Sequence, residues 1–185
     1  MPLITLVGYR GTGKSTVAAL LAKRLGCGWV DADEALEARL GVTIATLVRE
    51  QGEPAFRDAE SALLAETLPH WSGVFSTGGG VVLRQENRDL LRSHGRPVVW
   101  LTADAGIIRR RLAADPGTDA RRPALSGAHP LDEVDAALVE RRPLYRQVAD
   151  MALDTGTTEP TELARRIADW LAAGAPAGGL EGCSW

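Results

Sequence analysis

A chain of 185 residues, 45% hydrophobic and 24% charged, has room for one domain with a substantial core. Its net charge of −3 argues against a nucleic-acid or membrane-surface binder, and it contains no apolar run of the roughly 18 residues that a membrane span needs. Its two cysteines, Cys27 and Cys183, form neither a C-x-x-C nor a metal-ligand pattern, and no basic leader precedes the first apolar run, so a reduced, cytoplasmic setting is expected.

Residues 3–7 are an apolar run of strand length, and residues 16–25 carry helical spacing. Between them stands Gly8-Tyr9-Arg10-Gly11-Thr12-Gly13-Lys14-Ser15, which matches the phosphate-binding loop G-x-x-x-x-G-K-[ST] in residue types and in strand-loop-helix context. Glycines let backbone N–H groups converge on a polyanion, and the helix that follows adds unpaired N–H groups and a positive dipole end. Lys14 is placed to reach the β- and γ-phosphates and Ser15 to ligate Mg²⁺. Lysine occurs only at Lys14 and Lys23 in a chain with 21 Lys and Arg, so a lysine on this loop is itself informative.

Gly26-Cys27-Gly28 ends the helix, and a short second strand leads to Asp31-Ala32-Asp33. Carboxylates two apart on a strand point the same way, here at the sheet edge where ligands bind: one toward Mg²⁺, one toward a substrate hydroxyl. The competing reading makes Asp33 a helix N-cap. Three short helices follow, stopped by Gly41, Gly52 and Pro69, and together they resemble an insertion built to hold a substrate, about residues 32–68. Arg57 lies near the start of the third, at the wrong end of the helix dipole for its charge, which favours a functional reason for it.

A third strand, residues 74–77, runs into Gly78-Gly79-Gly80, either a flexible turn or a backbone against which a ligand lies. The fourth strand, residues 97–101, is nearly all apolar, as in a buried parallel sheet. Arg109, Arg110, Arg111, Arg121 and Arg122 flank a polar, turn-rich stretch that suits a flap closing on a polyanion, or a solvated loop. Residues 131–142 are helical, and Arg141-Arg142-Pro143-Leu144-Tyr145 continues or kinks that helix. A fifth strand (149–155), a last helix (161–173) and a small-residue tail (174–185), expected to be disordered, complete the chain. Alternating strands and helices predict a three-layer α/β/α fold with a five-stranded parallel sheet.

The phosphate loop, Asp31-x-Asp33, Gly52-Glu53-x-x-Phe56-Arg57, the triple glycine, Arg122-Pro123-x-Leu125 and Arg141-x-Pro143-Leu144-Tyr145, in this order and spacing, resemble the shikimate kinase family of P-loop small-molecule kinases. The likeness runs from residue 3 to about residue 172. It implies sheet order 2-3-1-4-5 in a single domain (1–173), a shikimate-binding insertion, and a lid at about 112–130. By the same resemblance Gly11, Thr12, Gly13, Lys14, Ser15 and Thr16 hold the ATP phosphates. Ser15 ligates Mg²⁺, which Asp31 contacts through water. Asp33 binds the hydroxyl to be phosphorylated, as base or orienter. Arg57 and Arg141 clamp the substrate carboxylate, while Gly78, Gly79 and Gly80 lie against the ring. Arg122 reaches the phosphates, and Arg110 or Arg111, with Arg111 taken as the ATP contact, packs on adenine opposite Pro160. Two guanidiniums suit a carboxylate because each can bind it through two parallel hydrogen bonds.

The chain departs from the family pattern at Ala124 in the lid motif, in the length between Arg111 and Arg122, and at Thr157-Thr158, where some members carry an ATP-contacting arginine. A gluconate kinase would share loop, fold and lid but would not need a carboxylate clamp beside a triple glycine. A guanine-reading switch would carry an N-K-x-D motif, and Asn87-Arg88-Asp89 lacks the lysine. A monomer acting on ATP and shikimate, without nucleic-acid or membrane partners, is the expectation.

Overall fold

The computed structural model of the chain describes residues 1, 3–114 and 134–174. Strands β1 (Ile4–Val7), β2 (Trp29–Asp31), β3 (Val74–Ser76), β4 (Val98–Thr102) and β5 (Met151–Asp154) form one parallel sheet in the order 2-3-1-4-5. In register, Thr5 of the central strand sits opposite Phe75 on one side and Val98 on the other. The strand order reverses beside β1, so the segment leaving β1 emerges where α/β sheets place their ligands.

Helices cover both faces. Helices α1 (Lys14–Leu25) and α7 (Pro160–Ala172) lay Val17, Leu21, Leu163 and Ile167 on Ile4, Leu6, Val99 and Leu101. On the other face α3 (Ile44–Thr67), α4 (Gln85–His94) and α6 (Val134–Val148) set Leu64, Leu91 and Val148 against Val7, Phe75, Val98 and Trp100. Alternate residues of β4 therefore go to different cores, and in β1 Leu6 and Val7 do the same, which is why both strands read as mostly apolar runs. Helix α5 (Ala105–Ala114) packs with α6 around Tyr9 through Ile108, Leu112 and Leu138.

The expected insertion forms as α2 (Ala32–Leu40) and α3. Helix α3 is broken where the sequence places a stop: Gly52 has φ 85° and ψ 168°, a conformation that favours glycine. Thr43 caps α3 by accepting from the Thr46 N–H at 3.1 Å.

The two aspartates are not arranged as the strand pattern predicts. Asp31 ends β2, whereas Asp33 lies in the first turn of α2. Asp31 is the cap, its Oδ1 accepting from the Asp33 N–H at 3.0 Å. The unpaired N–H groups of a helix start draw the carboxylate just before the helix, so the chain turns at Ala32 instead of extending the strand. Helix α6 runs on through Pro143.

At the opposite edge of the sheet the Asp150 carboxylate, 1% exposed, pairs with Arg96 and accepts from the Val98 N–H at 2.8 Å, fastening β4 to the start of β5. Among the described residues no helix is long and apolar enough to cross a membrane. Most of the expected lid (112–130) and tail (174–185), with Arg121, Arg122 and Cys183, lies outside the described residues.

Candidate active site

The loop after β1 closes on its own lysine. Gly8 has φ 147°, and a Cβ there would lie 2.2 Å from the Leu101 carbonyl oxygen. Gly13, at φ 86°, turns the chain into α1. Lys14 is buried, and its Nζ donates to the carbonyls of Gly8 at 2.8 Å and Tyr9 at 3.2 Å. Thr12 Oγ1 donates to the Tyr9 carbonyl at 2.7 Å. Ser15 and Thr16 are exposed on the first turn of α1, where the unpaired N–H groups and the dipole favour an anion. Ser15 Oγ donates to Asp31 Oδ2 at 2.6 Å, and Ser76 Oγ donates to the same oxygen at 3.2 Å.

The triple glycine forms the adjoining wall, and none of its three residues has a positive φ. Crowding, not conformation, demands glycine here. A Cβ on Gly78 would lie 2.6 Å from Glu60 Oε1 and 2.8 Å from Asp33 Oδ1; on Gly79, 3.0 Å from the Arg10 backbone nitrogen; on Gly80, 2.3 Å from Arg57 Nη1. A merely flexible turn is excluded, because each glycine is needed by a different neighbour.

Arg57 is 8% exposed and fully partnered in charge. Its Nη1 donates to Glu60 Oε2 at 2.8 Å, and its Nε and Nη2 donate to Glu53 Oε1 at 3.2 and 3.1 Å. Its guanidinium carbon lies 4.7 Å from the Phe56 ring centroid. Two glutamates thus offset an arginine that the helix dipole alone would disfavour. Glu60 Oε2 is used by Arg57, while Oε1 is buried without a hydrogen-bond partner and sits with Asp33 around Gly78.

Arg141, on α6, places its guanidinium carbon 5.4 Å from the centroid of Tyr9, and Arg10 places its own 5.7 Å from the same ring. One helical turn after Arg141, Tyr145 is wholly buried, stacks on Trp100 with centroids 5.8 Å apart, and donates its hydroxyl to the Gly79 carbonyl. Burial pushes that phenol's pKa up, against the opposing pull of Arg141 and Arg57. Tyr145 thus ties α6, which carries Arg141, to the triple glycine, whose third residue abuts Arg57.

At the other end of the loop Arg111 donates from Nη1 to Thr155 Oγ1 at 2.9 Å and to the Gly11 carbonyl at 3.3 Å, and from Nη2 to the Thr155 carbonyl at 2.6 Å. Arg110 is exposed and Arg109 pairs with Asp135, so of the three arginines Arg111 borders the loop. Pro160 opens α7 shortly after Thr155. The sequence pattern assigns no individual role to Glu53, Glu60, Tyr9 or Thr155. Glu60 stands three residues after Arg57, one turn along the same helix, and that spacing was the available signal.

A parallel sheet of this order with a Gly-Lys-Ser loop on its central strand defines a P-loop phosphotransferase. The family model described as shikimate kinase matches residues 10–172. The chain belongs to the shikimate kinase family. It is 40% identical over 162 residues to the shikimate kinase of Rhodopirellula baltica, covering 88% of this chain and 86% of that one. It is 42% identical over 154 residues to the shikimate kinase of Oleidesulfovibrio alaskensis, covering 83% and 88%. Among solved structures, shikimate kinase from Acinetobacter baumannii in complex with shikimate superposes with a TM-score of 0.84 at 33% identity, covering 92% of this chain and 93% of that one. A gluconokinase from Sinorhizobium meliloti, at 17% identity and a TM-score of 0.57 over 93% of this chain and 92% of its own, shares the fold alone.

Proposed function

We propose that this chain transfers the terminal phosphoryl group of ATP to the 3-hydroxyl of shikimate, giving shikimate 3-phosphate and ADP on the route to chorismate and the aromatic amino acids. One observation carries the reading: the buried guanidinium of Arg57 fills the space beside Gly80 while the phosphate loop abuts Gly79, so an acid-binding group and a polyphosphate-binding group share a wall.

Lys14, the backbone of residues 11–16 and Arg122 bind and neutralise the phosphates. Arg111 and Pro160 flank the adenine. Arg57 and Arg141 bind the carboxylate of shikimate. Asp33 and the orphaned Glu60 Oε1 offer acceptors to its ring hydroxyls. Phosphoryl transfer needs positioning and charge neutralisation more than covalent participation, which suits a site made of backbone amides and cations. Asp33 orients the attacking hydroxyl or takes its proton.

Ser15 Oγ and Asp31, 2.6 Å apart at the mouth of the loop, make an oxygen-donor pair that fits Mg²⁺, a cation that keeps several waters and takes its remaining ligands from phosphate. Ser15 and Asp31 would hold the ion, which would supply positive charge against that of the phosphates. The insertion at 32–68 holds the acceptor, and the lid at 112–130 excludes water. The reading extends to a monomeric, cytoplasmic enzyme with a single kinase domain at residues 1–173.

ADP release coupled to a reporter, with Mg·ATP and either shikimate or gluconate, tests the proposal. Shikimate-dependent turnover without gluconate-dependent turnover is expected; the reverse overturns it. Arg57→Ala and Arg141→Ala should mainly raise the shikimate KM, and Lys14→Met should reduce turnover by well over roughly tenfold.

A further inference from the structure

Tyr145 has no place in the reaction as described above, yet it carries a feature that packing does not require. Its ring is wholly buried and stacked on Trp100, a position that phenylalanine would fill without burying a hydroxyl. The hydroxyl reaches the Gly79 carbonyl, the middle residue of three consecutive glycines. Such a run has the largest conformational freedom of any tripeptide and loses it only where something holds it.

The Gly79 carbonyl and the Gly80 N–H belong to one trans peptide, so fixing the carbonyl toward Tyr145 directs that N–H away from it. Among the described residues, nothing accepts from the N–H of Gly79 or of Gly80. Both donors are thus left for a ligand, at the wall that also receives Arg57. Tyr145 lies one turn beyond Arg141 on α6, so a single helix carries one half of the acid clamp and the pin that sets the glycine wall.

We propose that Tyr145 is a positioning residue for the acceptor: its hydroxyl locks the Gly79–Gly80 peptide in the orientation that presents the Gly80 N–H to the phosphoryl acceptor. The inference rests on the reading of the acceptor given above. Tyr145 touches no substrate and acts through the peptide it holds.

Tyr145→Phe keeps ring, volume and stacking and removes the donor alone. In the ADP-release assay the variant should show a shikimate KM raised roughly three- to tenfold, with the ATP KM within about twofold of wild type, the size expected for one lost hydrogen bond. A merely structural role would raise both constants together. As a second measurement, amide exchange by NMR on the full chain should show the Gly80 N–H exchanging faster in the variant. An unchanged shikimate KM, or equal rises in both constants, overturns the inference while active wild type leaves the acceptor reading standing. Wild type without shikimate turnover overturns both.

Discussion

The guanidinium of Arg57 occupies the volume that a side chain on Gly80 would need, with Nη1 2.3 Å from the ideal Cβ position. Glu53 and Glu60 both hold that guanidinium, so it cannot retreat without breaking the buried pair with Glu60 and the partly exposed one with Glu53. Gly80→Ala therefore acts on the acceptor clamp without altering any charged residue. The expected outcome is a shikimate KM raised by at least roughly tenfold with the ATP KM little changed. Equal Michaelis constants in variant and wild type would show that Arg57 moves freely.

Glu60 shares a buried pair with Arg57, and removing one partner leaves an arginine largely desolvated beside the half-exposed Glu53. Glu60→Gln should lower unfolding free energy by about 3 kcal/mol in urea titration. Added shikimate should raise the Tm of the variant more than that of wild type, because its carboxylate supplies part of the missing charge.

Much of this architecture is legible in the sequence. The phosphate loop is read from residue type and context together, and the breaks at Gly41 and Gly52 are read from backbone demand. The strands of the sheet are found because each is short, apolar and bounded by turn residues. The Asp31–Asp33 pair misleads, since a two-residue period describes a strand, and the helix start at Ala32 intervenes. The partners of Arg57 are invisible for a different reason. A glutamate one turn away on an apolar stripe looks the same whether it faces solvent or a buried cation, and only the packing of α3 against the glycine wall decides.

Arg111 is held by Thr155 through both the hydroxyl and the carbonyl. Thr155→Val removes the hydroxyl at constant shape and leaves the carbonyl bond. The ATP KM should rise roughly three- to tenfold while the shikimate KM stays near wild type, and Thr155→Ser should restore it. A rise confined to shikimate would detach Arg111 from the nucleotide.

Tyr145 also makes stability depend on alkaline pH. Burial raises its pKa above the ordinary value of 10.0, so folding favours the neutral phenol. That contribution is complete below the unfolded value and is lost as pH climbs beyond it, because the unfolded chain then releases a proton that the folded chain retains. The loss approaches about 1.4 kcal/mol per pH unit. Tyr145→Phe lacks this group. Urea unfolding at about pH 8 should find wild type the more stable, and at about pH 11 the gap should close or reverse. Parallel curves at both pH values would contradict the assignment.

Gly79 rests directly on the Arg10 backbone, with 3.0 Å between the Arg10 nitrogen and the place where a Cβ would stand. The phosphate loop and the triple glycine therefore meet main chain against main chain. A methyl group here would require the Arg10 backbone to give by a few tenths of an ångström, so the tolerance of position 79 reports how closely the loop and the glycine wall must pack.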